Sequence, residues 1–187
     1  MREEWGTAPP SSFDRSTMSL LSRLQIISGG QSGVDTVALE VASHFGVRTG
    51  GTAPHGWYRY DDSGRLTSDR AFFQKYGLTE GPPDPKRWVK RTHLNAADSH
   101  FTVWFGNISP GYWCTSNGCI RAQRRFLPNI FAHEIATHFL TVLPLLLPDD
   151  HVVMNVAGNR RHTNPDASDL CLSTLQQFLG DLQKLDT

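Results

Sequence analysis

The sequence predicts an α/β protein with a mainly parallel sheet covered by helices on both faces. Short apolar strands alternate with helical patterns along the chain, as is typical of parallel sheets. In the clearest unit, an apolar run at 24–28 ends at a glycine pair, helical spacing over 34–45 ends at Gly46, and a brief strand follows at 47–49. This unit has the length of about 30 residues that a strand–helix–strand crossover requires.

The segment at 51–85 interrupts this alternation. It is rich in glycine and proline, which predicts a long irregular excursion with one helical turn near 68–75. The remaining elements are predicted, in order, as a helix opening at Pro85, a buried strand at 101–105, a helix at 118–126, a strand at 129–132, a strand at 151–156 and a last helix. The last helix is predicted to have Asn164 as N-cap and an apolar face formed by Cys171, Leu175, Phe178, Leu179 and Leu182.

The chain divides into a tail and one domain. Residues 1–20 are polar and contain a Pro-Pro-Ser-Ser run without apolar periodicity, which predicts a disordered tail. Residues 21–187 are long enough for a single ligand-binding domain with one core.

Composition argues against several classes of protein. The formal net charge is zero, whereas proteins that bind nucleic-acid backbones usually carry a basic excess. The longest apolar stretch, at 139–147, is too short to span a bilayer, and the pattern of the first residues does not predict a secretory leader. Three cysteines do not suit a disulfide framework. We therefore expect a cytoplasmic protein with reduced thiols and no nucleic-acid or membrane partner.

The sharpest chemical signal is the turn Ser-Gly-Gly-Gln-Ser-Gly-Val-Asp at 28–35, between a strand and a helix. Glycines there let the backbone approach an anion, which the helix N-terminus also attracts. The turn lacks the first glycine of the dinucleotide fingerprint, and no acidic residue lies between Glu40 and Asp61 to hold a ribose. It also lacks the lysine of a P-loop. The turn therefore predicts a phosphate site, but not an NAD or P-loop site.

Two other strand ends are predicted to face the same crevice, because ligands bind beyond the carboxyl ends of parallel strands. A second glycine turn at 155–161 carries Arg160, which is suited to pair with phosphate, whereas Arg161 is expected to be solvated. The turn at 109–111, with Thr115 and Ser116, is expected to supply amides and hydroxyls from a third loop.

Several other clusters are interpreted as structural. His133 and His138 resemble a zinc-binding pair, but five residues separate them by roughly 140° around a helix. Cys114 and Cys119 lack a second pair at metal spacing. The remaining clusters are the bases Lys86, Arg87, Lys90 and Arg91, predicted to be a solvated helix face, and the aromatics Trp57, Tyr58 and Tyr60, predicted to pack locally.

Five motifs in order resemble the molybdenum carrier proteins, a family related to the lysine-decarboxylase-like and SLOG nucleotide-binding proteins. They are Gly-Gly-Gln-Ser-Gly-Val-Asp at 29–35, Thr-Gly-Gly-Thr-Ala-Pro-His-Gly at 49–56, Arg-Thr-His-Leu-Asn-Ala-Ala-Asp at 91–98, Ser-Pro-Gly at 109–111 and Asn-Val-Ala-Gly at 155–158. The chain departs from the family pattern at Ser32, at Asn159 and Arg161, and at 112–114.

The resemblance implies a Rossmann-like three-layer α/β sandwich, a homo-oligomer, and a protein that binds and carries molybdenum cofactor (molybdopterin) rather than turning it over. That cofactor joins a pterin to a terminal phosphate, which suits an anion turn beside a planar surface. No catalytic residue and no metal ligand is predicted. The residues predicted to bind the cofactor are Gly29, Gly30, Gln31, Ser32, Gly33, Asp35, Ser109, Gly111, Thr115, Asn155, Gly158 and Arg160.

Two alternatives use the same crevice. The related lysine-decarboxylase-like group includes nucleotide phosphoribohydrolases, which resemble one another through Pro-Gly-Gly-x-Gly-Thr and a following glutamate. Here the third loop reads Pro-Gly-Tyr-Trp-Cys-Thr, and no Asp or Glu occurs from 109 to 132, which argues against hydrolysis. The other alternative is a module that senses a signalling nucleotide.

Overall fold

A six-stranded parallel sheet runs through the computed structural model, which describes residues 19–186. Its strands, in spatial order, are β5 (Leu78–Glu80), β2 (Arg48–Ala53), β1 (Leu24–Ile27), β8 (Val152–Gly158), β6 (Phe101–Phe105) and β7 (Arg125–Pro128). The helices are α1 (Val34–His44), α2 (Arg70–Lys75), α3 (Val89–Ala97), α4 (Pro110–Ala122), α5 (Ala132–Val142) and α6 (Pro165–Leu185).

The helices complete a three-layer sandwich. Helix α6 packs against α1 and α5, and α3 packs against α4. The main core lies under α1, α5 and α6, where Ile26, Met154 and Phe178 are almost wholly buried. The predicted apolar face of α6 is confirmed, since all five of its residues are buried. The predicted Rossmann-like α/β class is therefore confirmed.

The prediction of an irregular excursion at 51–85 is wrong in part. Strand β2 continues to Ala53, an antiparallel hairpin forms from β3 (Tyr58–Tyr60) and β4 (Leu66–Ser68), and β5 adds an edge strand to the sheet. Only the helical turn, observed as α2, was expected. Three-residue strands are too short to show an alternating pattern, and pairing with a neighbour defines them.

Three predicted boundaries are also corrected. Helix α3 begins at Val89 rather than Pro85, because the Asp84 carboxylate accepts the amides of Lys86 and Lys90 and holds a turn there. Helix α4 begins at Pro110, eight residues before the predicted start. The strand predicted at 129–132 is β7, four residues earlier, and Ala132 already begins α5.

The predicted tail at 1–20 lies outside the described residues except for Ser19 and Leu20. The Leu20 amide donates to the Asp186 carboxylate at 2.7 Å. None of the helices described over 19–186 is long and apolar enough to cross a membrane.

Candidate functional site

A cavity of about 530 Å³ opens beyond the carboxyl ends of β1, β8 and β6. Its volume lies within the range of small-molecule sites. The cavity is lined by nine of the twelve predicted residues: Gly29, Gln31, Asp35, Ser109, Gly111, Thr115, Asn155, Gly158 and Arg160. Gly30, Ser32 and Gly33 do not line it.

The two glycine turns touch each other, although more than a hundred residues separate them. The Val34 amide donates to the Asn159 carbonyl at 3.3 Å, and Gly33 lies against the backbone of 159–161. Parallel pairing of β1 with β8 produces this contact. The turns therefore form one wall of the cavity.

Gly30 and Gly33 serve the fold of the first turn. Both have positive φ, at 69° and 89°, which side chains rarely adopt. A Cβ on Gly30 would meet the Phe73 ring, and one on Gly33 would meet backbone. Beside them, the buried hydroxyl of Ser32 has no hydrogen-bond partner among the described residues.

The Gln31 side chain fastens the hairpin to the first turn. Its amide nitrogen donates to the Tyr58 carbonyl at 3.2 Å, and its Oε1 accepts the Tyr60 amide at 3.1 Å. Arg59 adds a bond to the hydroxyl of Thr36 at 2.9 Å. Gln31 thus positions the hairpin, and both ends of its side-chain amide are already engaged.

Asp35 and Arg91 form a buried ion pair at the cavity wall. The Asp35 side chain is 7% exposed, and its carboxylate lies 3.5 Å from Arg91 Nη1. The carboxylate also accepts a hydrogen bond from the backbone amide of Gln31 at 3.3 Å. Burial raises the pKa of the Asp35 carboxyl above its ordinary value, against the lowering effect of Arg91. The Arg91 Nε is buried without a hydrogen-bond partner among the described residues.

Arg91 is a cavity residue that the sequence does not predict as part of the site. It was assigned to a solvated helix face, but its side chain is only 12% exposed and its guanidinium covers Gly29. Asn95 fixes the helix that carries it, because its side chain pairs with both the amide and the carbonyl of Thr52 in β2. The only sequence signal was the resemblance motif at 91–98, which contains both residues.

Arg160 lies against aromatic side chains at the same wall. Its guanidinium is 4.3 Å from the Tyr60 ring centre and 5.3 Å from that of Trp88. Tyr60 therefore packs on the site rather than only within its loop. The neighbouring Arg161 is 40% exposed and lies 3.8 Å from Asp62, close to its expected solvated state.

The third predicted loop is the first turn of α4. Ser109 is its N-cap, accepting the Tyr112 amide at 3.2 Å, and the Thr115 hydroxyl donates to the Gly111 carbonyl at 2.9 Å. The cavity therefore meets a helix N-terminus here rather than a flexible loop. Asn159 links this turn to its surroundings, since its side chain accepts the Asn107 amide at 2.6 Å and donates to Ser109 Oγ at 3.4 Å.

Two further predicted positions, Asn155 and Gly158, support the end of β8. The Asn155 side chain, 2% exposed, donates to the Thr102 hydroxyl at 3.1 Å. Gly158 leaves no room for a Cβ, which would meet Phe105 and Val34. Both positions hold β8 against its neighbours where the cavity begins.

The thiol and imidazole groups do not assemble a metal site within residues 19–186. Cys114 lines the cavity with its Sγ 3.9 Å from His93 Nε2, and burial raises the pKa of its thiol. The described cysteines are free of disulfides.

A parallel sheet with helices on both faces and a cavity at the carboxyl ends of its central strands defines a Rossmann-like α/β protein. The chain belongs to the circularly permutated YpsA SLOG family, whose sequence model matches residues 26–179. It is also similar to a crystal structure from Syntrophus aciditrophicus SB named "Putative molybdenum carrier protein", with 26% identity and a TM-score of 0.65 over 84% of this chain and 96% of that one. No curated protein matches the chain.

Proposed function

We propose that this protein binds a phosphate-bearing cofactor, molybdenum cofactor by preference, in the cavity at the carboxyl ends of β1, β8 and β6, and carries or protects it. The name of the Syntrophus protein supports a small-ligand carrier.

One observation carries the proposal: two guanidinium groups, the backbone of a glycine and two helix N-termini all line one cavity. Arg91 and Arg160 both line it, as do Gly29 and the N-terminal residues of α4 and α6, Ser109 and Asn164. Helix N-termini and guanidinium groups both favour anions. The Nε of Arg91, which has no hydrogen-bond partner within residues 19–186, is a buried donor that an oxyanion could satisfy.

The residues present fit a phosphorylated pterin. Arg91 and Arg160 would hold the phosphate, and the half-buried side chain of Trp88, which lines the cavity, would contact the pterin ring. The Asp35 carboxylate is the one group that opposes an anion there. When bound, molybdenum cofactor supplies redox chemistry at its metal, whereas the residues named here would bind and shield the ligand.

Purification without added ligand tests the proposal. Native mass spectrometry and metal analysis should detect a phosphorylated pterin bound to the folded protein. The fluorescence of the oxidised pterin should appear in solution once the protein is unfolded. The Arg160→Ala variant should retain less of it. A protein that co-purifies with a nucleotide and no pterin would contradict the carrier proposal and favour nucleotide sensing.

Hydrolysis of nucleotides is the second candidate, because the cavity does contain a carboxylate. Asp35 comes from α1 rather than from the segment at 109–132. Burial raises the pKa of this carboxyl, a property shared by many catalytic acids. Its bonds to Arg91 and the Gln31 amide favour a binding role.

The remaining expectations stay predictions: a homo-oligomer, a cytoplasmic location and no nucleic-acid partner. Exposed apolar side chains such as Trp113 and Ile120 on α4 are compatible with association. Sedimentation analysis of the full chain would give the oligomeric state.

A further inference from the structure

We propose that Asp35 is an internal counter-ion that an incoming phosphate monoester replaces on Arg91, and that Asp35 takes up one proton from solvent as it does so. This inference rests on the proposed function, since it concerns the same cavity. It predicts that the site selects dianions and that its affinity depends on pH.

The ion pair between Asp35 and Arg91 is long, and it leaves a donor of Arg91 without a partner among residues 19–186. The Asp35 carboxylate is 3.5 Å from Arg91 Nη1, longer than the 2.7–2.9 Å of a strong charge-assisted bond. The Arg91 Nε has no hydrogen-bond partner among the described residues, and the guanidinium lies over Gly29 at the cavity wall. A phosphate group could accept hydrogen bonds from both Nη1 and Nε of Arg91, whereas the Asp35 carboxylate lies near Nη1 alone.

Titratable or charged groups of four elements interact with Asp35. Arg91 on α3 and Arg160 after β8 line the cavity beside it, and Arg59 on the hairpin also interacts with it electrostatically. On α6, burial raises the pKa of the Cys171 thiol well above its usual value, so this neighbour is neutral. The two arginines that line the cavity therefore leave a charge of +1 when Asp35 is ionised and +2 when it is protonated.

A dianion matches the protonated state of the site. With Asp35 ionised, a phosphate dianion would lie beside a buried carboxylate, and like charges in a poorly solvated site disfavour ionisation. Burial already raises the pKa of Asp35 in the free protein, and a bound dianion would raise it further. The proton adds to a carboxylate oxygen, and no bond of the ligand is made or broken.

Calorimetric titration with adenosine monophosphate tests the exchange between pH 7 and 9. The phosphate is a dianion throughout this range, because its second pKa is about 6. We expect the dissociation constant to rise with pH by up to about tenfold per unit, and the binding enthalpy to vary with the ionisation enthalpy of the buffer. The slope of the binding enthalpy against the ionisation enthalpy of the buffer should give an uptake of up to one proton per ligand bound.

Asp35→Asn removes the titrating carboxyl group but keeps a side-chain oxygen that can accept the hydrogen bond from the Gln31 backbone amide. We expect this variant to bind adenosine monophosphate with an affinity independent of pH and a binding enthalpy independent of buffer. Glu40→Gln, at an exposed acid of the same helix, should titrate like the wild type.

The outcomes separate this inference from the proposed function. Binding by the wild type without proton uptake, or unchanged uptake by Asp35→Asn, would refute the exchange and leave the phosphate cavity standing. Absence of binding by the wild type at millimolar ligand would refute the exchange, whereas the carrier proposal is decided separately by the co-purifying pterin. The wild-type measurement is decisive even if Asp35→Asn does not fold.

Discussion

Arg91, Arg160 and Asp35 set the charge of the cavity at the scale of single residues. All three line it, yet only Arg160 and Asp35 could be named as site residues from the sequence. The turn at 28–35 identifies Asp35 by its position at a helix start, whereas Arg91 stands among three other basic residues that point to solvent. Which base of a helix turns inward depends on what the helix packs against.

Gly29→Ala tests the first turn without disturbing its backbone. Gly29 is not in the positive-φ region, and its Cβ would overlap only the flexible end of Arg91. We expect the variant to fold, to displace the guanidinium, and to bind adenosine monophosphate about tenfold more weakly, as the loss of one charge-assisted hydrogen bond implies.

Gly180→Ala is the matched control for this experiment. It lies within α6, a Cβ there meets nothing within 4 Å, and alanine favours the helix. Its affinity should equal that of the wild type. Equal affinity in Gly29→Ala would show that the ligand does not use this wall. Gly30 and Gly33 are unsuited to the test because a side chain at either strains the fold.

Arg160→Ala asks whether the second turn shares the ligand. We expect an affinity loss of about ten- to a hundredfold, because a hydrogen bond to a charged group contributes about 1.5–3 kcal/mol. Its stacking on Tyr60 and Trp88 also predicts a loss of about 1 kcal/mol in the free energy of unfolding. Titration calorimetry and urea unfolding measure the two effects.

Arg161→Ala is the control, since this side chain is 40% exposed and its ion pair with Asp62, at 3.8 Å, lies at the surface. It should change neither quantity by much. Equal loss of affinity in both variants would mean that Arg160 contributes through the general charge of the turn and not through a contact.

At the scale of elements, α4 and the hairpin differ most from the sequence prediction. The pair Pro110 and Gly111 reads as a turn, but Ser109 caps a helix and proline suits its first position. The strands of the hairpin are held by Gln31, whose side chain pairs with both Tyr58 and Tyr60. No local pattern encodes such a tertiary partner.

His100 couples the pairing of β8 to pH. Its Nδ1 accepts the Val153 amide at 2.9 Å, so the ring must be unprotonated on this nitrogen. Burial first, and Arg124 next, lower the pKa of His100 below 6.5. The unfolded chain therefore binds the proton more readily. This contribution to stability is present above about pH 6.5 and is lost as the pH falls below 6.5 and through the lower pKa of the folded protein.

We expect His100→Ala to lose about 1 kcal/mol of stability at pH 7.5 and to be less sensitive to acid between pH 7 and 5 than the wild type. Urea unfolding at both pH values measures this. His44→Ala, at an exposed position, should keep the acid sensitivity of the wild type. An unchanged sensitivity in His100→Ala would assign the effect to other histidines such as His93 and His138, whose pKa values burial also lowers.

At the scale of the whole molecule, the strand order places the two glycine turns side by side. Strands β1 and β8 pair in parallel, and the Ser28 hydroxyl donates to the Val156 carbonyl across 128 positions of sequence. A cavity lies at the carboxyl ends of these strands. Its chemistry is decided by the side chains that the surrounding helices add.

We expect this cavity to bind nucleoside monophosphates without hydrolysing them. Asp35 is paired with Arg91, and no Asp or Glu occurs between 109 and 132. Chromatography of an overnight incubation should show no free base above the buffer control. Base release that Asp35→Asn abolishes would instead support the phosphoribohydrolase candidate.

The sequence by itself determined the strands β1, β6 and β8, the helices α1 and α6, and the two glycine turns. Apolar periodicity, glycine and N-cap residues act within a few positions of the chain, so these features can be recognised locally. Only the tertiary structure decided that Arg91 meets Asp35 across 56 positions and that Gln31 holds the hairpin. Such contacts depend on how α3 and the hairpin pack over the sheet, because burial and proximity, rather than residue type, make a charge part of the site.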